Sequence, residues 1–92
     1  MSTVPVQPVL KGQKALVTGA NSGIGQGIVI ALGRAGADVV VHYVVGPEVA
    51  RQVVDEIRQS GVRAYAHQAD VSQEDQVQAM FQRMYQEFAT RG

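Results

Sequence analysis

Thr18-Gly19-Ala20-Asn21-Ser22-Gly23-Ile24-Gly25 stands where a short apolar run gives way to a helical pattern, and its reading decides the fold. Lys14-Ala15-Leu16-Val17-Thr18 before it has the length and composition of a buried strand, while Ile24, Ile28, Leu32 and Ala35 after it recur at helical spacing. Gly19 is expected to let the chain leave the strand through a tight turn. Gly23 carries no Cβ to obstruct an approaching pyrophosphate, and Gly25 allows the helix to lie close against the strand. The first N–H groups of a helix have no intrahelical acceptor and sit at the positive end of its dipole. The stretch therefore predicts a cradle for a phosphate-bearing ligand.

Three residues separate the first two glycines, which differs from the common G-x-G-x-x-G spacing. This T-G-x-x-x-G-I-G pattern resembles the cofactor loop of the short-chain dehydrogenase/reductase family, and its sugar-dehydrogenase-like and acyl-carrier-protein-reductase-like members look nearest. The likeness continues in Ala31-Leu32-Gly33-Arg34-Ala35-Gly36-Ala37-Asp38-Val39-Val40-Val41, which looks like that family's first helix entering its second strand. Gln68-Ala69-Asp70-Val71-Ser72 looks like the turn after its third strand, so the resemblance runs from Lys11 to Phe88.

Ninety-two residues allow one small domain, and Met1 to Leu10, with two prolines, read as a flexible tail before a partial dinucleotide-binding domain over 11–92. Eight basic residues balance eight acidic ones without forming a basic stripe, which argues against nucleic acid or an anionic membrane as partner. There is no cysteine, and His42 and His67 lie far apart without a ligand-spaced companion, so no metal site is expected. The tail has neither the basic start of a signal peptide nor a membrane-length apolar run. The expectation is a cytoplasmic protein.

The fold class read from the pattern is α/β: a Rossmann-like, three-layer arrangement of three βα units on a parallel sheet, strand order 3-2-1. Gly36 closes the first helix, and Val39 to Tyr43 form a strand buried on both faces. Pro47 opens a second helix whose core stripe is Ala50, Val53, Val54 and Ile57, and Gly61 stops it. Arg63 to Ala69 is a weaker, outer strand. Ser72 is read as the cap of the third helix, with Asp75 as its capping partner and Val77, Met80, Phe81, Met84 and Phe88 on one face. Right-handed crossovers put the first two helices on one face and the third on the other. This is half of a doubly wound fold.

The resemblance implies an oxidoreductase in which a Tyr-x-x-x-Lys pair and a serine manage the chemistry of an alcohol or carbonyl. Tyr43, Tyr65 and Tyr85 are followed four residues later by Pro47, Ala69 and Ala89, and the two lysines, Lys11 and Lys14, precede the loop. No catalytic residue is therefore assigned. By the same resemblance the cofactor-binding set is Gly19, Asn21, Ser22, Gly23, Ile24, Gly25, Tyr43, Asp70 and Val71, with Asp70 approaching the adenine amino group and Val71 beside the ring. Asp38, at a suitable distance along the sequence for a ribose-binding acid, opens its strand and so belongs to the opposite edge of the sheet. The second strand instead ends in Tyr43-Val44, with neither the aspartate of NAD-preferring relatives nor the arginine of NADP-preferring ones. Ser22 and the Tyr43 hydroxyl could bind a 2′-phosphate, which leans the reading to NADP and leaves NAD open.

Three functional readings stand at this point. The chain is the NAD(P)-binding portion of such an oxidoreductase, holding the adenosine diphosphate half without turnover; or a truncated folding or assembly module; or a piece active only together with further sequence. The apolar first strand, left as an edge, predicts homo-oligomers through that strand or the third helix.

Overall fold

A computed structural model describes residues 10–89, so the flexibility expected of Met1 to Val9 lies outside the described residues. Three strands and three helices alternate: β1 (Lys14–Val17), α1 (Gly23–Arg34), β2 (Asp38–Tyr43), α2 (Pro47–Arg58), β3 (Ala64–Gln68) and α3 (Glu74–Glu87). Both strand pairings are parallel, with Leu16 opposite Val40 and Val40 opposite Tyr65, and β2 lies between the other two. This is the open Rossmann-like α/β half-fold that the sequence predicts.

The alternation of β2 distributes its valines to two cores. Val39 and Val41 join Val29 of α1 and Ala50, Val53, Val54 and Ile57 of α2, while Val40 meets Tyr65, Met84 and Phe88 on the α3 side. A central parallel strand needs apolar residues on both faces, which is why β2 reads as an unbroken run. Leu10 packs against the first core and donates its N–H to the Ala35 carbonyl at 2.8 Å.

The face of α1 differs from the expected stripe. Gly25, Val29 and Gly33 are buried, whereas Ile24 is 82% and Ile28 is 48% exposed. Close approach selects the smallest residues for the buried side: a Cβ on Gly25 would fall 2.5 Å from the Gly19 carbonyl oxygen, leaving the larger isoleucines outside. At the far end Gly36, at φ +104°, donates to Gly33 and Ala37 donates to Leu32, a Schellman closure that satisfies those two carbonyls.

Helix α3 also begins differently. Gln73, without a side-chain cap bond, precedes it, and Ser72 does not cap it. The Ser72 hydroxyl instead donates to Asp70 Oδ1 at 2.7 Å, and the Ser72 N–H reaches the same oxygen at 2.9 Å. This local turn competes successfully with the cap. Met80, Met84 and Phe88 form the buried face, Val77 is half-buried, and Phe81 is exposed.

Candidate functional site: the glycine loop at the carboxyl edge of the sheet

Gly19 takes φ +63°, a left-handed conformation that relieves the chain of a Cβ clash as it leaves β1. Its carbonyl accepts from both the Ser22 N–H, at 3.1 Å, and the Ser22 hydroxyl, at 2.9 Å. Ser22 is the N-cap of α1: its Oγ accepts the Gly25 N–H at 3.4 Å, and its carbonyl accepts the Gln26 N–H at 2.7 Å. The Ser22 hydroxyl is thus already engaged in shaping the loop. Among the described residues, the N–H groups of Gly23 and Ile24 have no acceptor. A Cβ at Gly23 would meet nothing within 4 Å, so open space lies beside those two donors.

Asn21 acts as a tie. Its Nδ2 donates to the Val45 carbonyl at 2.6 Å and to Gly46 at 3.4 Å, and its own carbonyl accepts from Gln26 Nε2 at 2.8 Å. The loop after β1 is fixed in this way to the loop after β2. Gly46, at φ +85°, leaves room for the amide: a Cβ there would lie 3.0 Å from Asn21 Nδ2.

Tyr43 ends β2 and packs, half-buried, against the α1/α2 core. It also lines a groove with Pro47, Arg51 and Arg58, in which the glycine loop takes no part. Asp70 and Val71 follow β3, both exposed. The hydroxyl of Ser72, then its N–H, hold the Asp70 carboxyl below the usual carboxylate range. Asp70 also donates its N–H to Gln76 Oε1 at 2.8 Å. All nine sequence-predicted residues therefore stand at the carboxyl ends of the three strands, where open α/β sheets take their ligands.

Asp38 lies at the other edge. It is paired in register with Lys14 and held by Arg63, whose Nη2 is 2.8 Å from Oδ2 and whose N–H is 2.9 Å from Oδ1. It fastens the start of β3 to β2 and has no place in the loop.

One residue at the carboxyl edge escaped the sequence reading. His42 is 1% exposed; its Nδ1 faces the Gly19 N–H at 3.2 Å and its Nε2 faces the Ala69 carbonyl at 2.8 Å. Since the amide can only donate and the carbonyl only accept, the neutral imidazole carries its proton on Nε2. The available signal was its position between Val41 and Tyr43: a polar ring in a buried strand requires partners.

A three-stranded parallel sheet with a glycine-rich helix start at its carboxyl edge defines one half of a doubly wound α/β protein. The chain belongs to the short chain dehydrogenase family, whose model matches residues 13–91. It is 44% identical over 87 residues to "Hydroxynaphthalene reductase-like protein Arp2" of Metarhizium acridum, covering 95% of this chain and 33% of that protein. It is 47% identical over 79 residues to "Versicolorin reductase stcU" of Emericella nidulans, covering 86% of this chain and 30% of that protein. Among solved structures, a hydroxysteroid dehydrogenase from Escherichia coli superposes with a TM-score of 0.80 at 36% identity, over 90% of this chain and 35% of that one. The chain thus spans about a third of the length of the curated relatives it matches.

Proposed function

We propose that this chain supplies the NAD(P)-binding portion of a short-chain oxidoreductase and grips the adenosine diphosphate half of the cofactor. The observation that carries the reading is the pair of unpartnered N–H groups, on Gly23 and Ile24, beside the open space at Gly23. Such donors at a helix start suit a diphosphate. A bound nicotinamide dinucleotide supplies a hydride donor or acceptor; the residues here bind and orient it. Gly19 and Gly25 give the loop its path, Ser22 caps the helix, and Asn21 holds the loop to its neighbour. Asp70 accepts from the adenine amino group, with Val71 against the ring. NADP is favoured over NAD, because Tyr43-Val44-Val45 at the end of β2 presents no carboxylate to repel a 2′-phosphate. No tyrosine of these 92 residues is followed at the fourth position by lysine, so the proposal for this chain stops at binding.

Calorimetric titration with ADP, NAD and NADP tests this. ADP should bind within about tenfold of the dinucleotides, a gap of roughly 1.4 kcal/mol. NAD far tighter than ADP would show that the chain also grips the nicotinamide side, a gain confined to NADP would report its 2′-phosphate, and absence of binding by all three would refute the reading.

A second reading, homo-oligomeric assembly in the cytoplasm, draws on β1. All four of its residues are only half-buried, and Ile24 and Ile28 of the helix that follows are exposed, which is apolar surface that a second copy can cover. Sedimentation equilibrium decides it: a dimer supports assembly, and a monomer at micromolar concentration removes it.

A further inference from the structure

We infer that His42 is a positioning residue for the phosphate loop, a buried brace that sets the loop after β1 against the turn after β3. The inference rests on the proposed nucleotide binding and concerns a side chain that does not itself touch the ligand. Three bonds converge on this one residue. The Gly19 N–H donates to Nδ1, the Ala20 N–H donates to the His42 carbonyl at 2.9 Å, and Nε2 donates to the Ala69 carbonyl. Gly19 and Ala20 open the glycine loop, and Ala69 directly precedes Asp70. A single imidazole therefore links the loop proposed for the diphosphate to the turn proposed for adenine.

The brace also determines which loop donors stay free. Gly19 spends its N–H on the ring and its carbonyl on Ser22, while Ala20 spends its N–H on the β2 backbone. Gly23 and Ile24, one turn further on, keep theirs. Without the ring, the Gly19 N–H would lose its acceptor in this part-buried bond. It would draw the loop toward another acceptor and turn the free donors away from a common target. A valine at this position would continue the apolar run of β2 and fill similar space, but it offers neither acceptor nor donor.

The two ring nitrogens can be tested separately, because an asparagine amide reaches about as far as Nδ1 and a glutamine amide about as far as Nε2. His42→Asn should keep an acceptor for Gly19, and His42→Gln should keep a donor for Ala69. Amide hydrogen exchange, thermal melting and ADP titration are measured on the native chain and both variants. The expected result is a Gly19 amide as protected in His42→Asn as in the native chain, with ADP affinity within about threefold. In His42→Gln, exchange at Gly19 should rise at least tenfold and ADP affinity should fall about tenfold, while the two variants melt at similar temperatures. Equal Gly19 protection in both variants would overturn the brace. So would affinity losses that simply follow loss of stability. If the native chain binds no ADP, the proposed function fails, and the exchange comparison still decides whether His42 holds the loop.

Discussion

Gly33 of α1 and Ile57 of α2 meet so closely that a Cβ on the glycine would fall 2.7 Å from Ile57 Cγ2. Ile57 is fully buried and Cγ2 is attached directly to its branched Cβ, so this methyl cannot swing away. The contact brings the first two helices together over β2, and through them the helix start that carries the glycine loop. Gly33→Ala is expected to destabilise the chain by about 1–3 kcal/mol through overpacking, despite a gain of about 1 kcal/mol in helix propensity. Ile57→Ala removes the obstructing methyl, so the two substitutions should be less damaging together than the sum of each alone. Urea unfolding of the double-mutant cycle measures this, and simple additivity would contradict the contact.

Gly23 and Gly25 are two residues apart and should fail in different ways. At Gly25 a Cβ would lie 2.5 Å from the Gly19 carbonyl oxygen and 2.9 Å from Ala20 Cα, both of them backbone atoms that cannot yield without moving the loop. Gly25→Ala is expected to lower the melting temperature and weaken nucleotide binding together. Gly23→Val places its side chain in open space, so the fold should persist while binding is lost. Circular dichroism melts and ADP titration of both variants give the comparison. A Gly23→Val protein that no longer folds would mean the position serves backbone geometry.

Stability should fall in mild acid through His67. Its Nδ1 faces Arg83 Nη1 at 3.1 Å, and burial first, then the charges of Arg83 and His42, lower its pKa from the usual 6.5. A histidine whose pKa is lower in the folded state binds fewer protons there than in the unfolded chain. Its contribution is therefore complete above pH 6.5 and declines as the pH drops from there toward the folded value. Asp70, also lowered, adds a second loss at more acidic pH, as the medium passes through its folded pKa. His67→Asn retains an acceptor for Arg83 and cannot titrate in this range, so it should flatten the first decline in melting temperature. An unchanged profile would assign that decline to other groups.

The sheet and the loop were legible in the sequence because each left a pattern of its own. Val39-Val40-Val41 announces a strand covered on both sides, and the glycine spacing followed by Ile24 announces a strand-to-helix turn. The buried face of α1 was not legible, because hydrophobic periodicity rewards Ile24 and Ile28, whereas the packing here selects absent side chains at Gly25 and Gly33. The α3 cap was misread because Ser72 has two local uses, and sequence does not disclose that the Asp70 carboxylate takes its hydroxyl. His42 stayed hidden for a related reason. Its partners are a backbone N–H 23 residues earlier and a backbone carbonyl 27 residues later, and backbone groups carry no sequence signature.

The proposed binding has Gly23 and Ile24 present their N–H groups to a diphosphate. Following the backbone amide resonances of the isotopically labelled chain during addition of ADP tests it most directly. The expected shifts are saturable, largest at Gly23 and Ile24 and smaller at Asp70 and Val71, with little change at Ala20, whose N–H is already bonded to His42. Saturable shifts centred elsewhere, for example along the Tyr43, Pro47 and Arg51 groove, or no shifts at all, would contradict it.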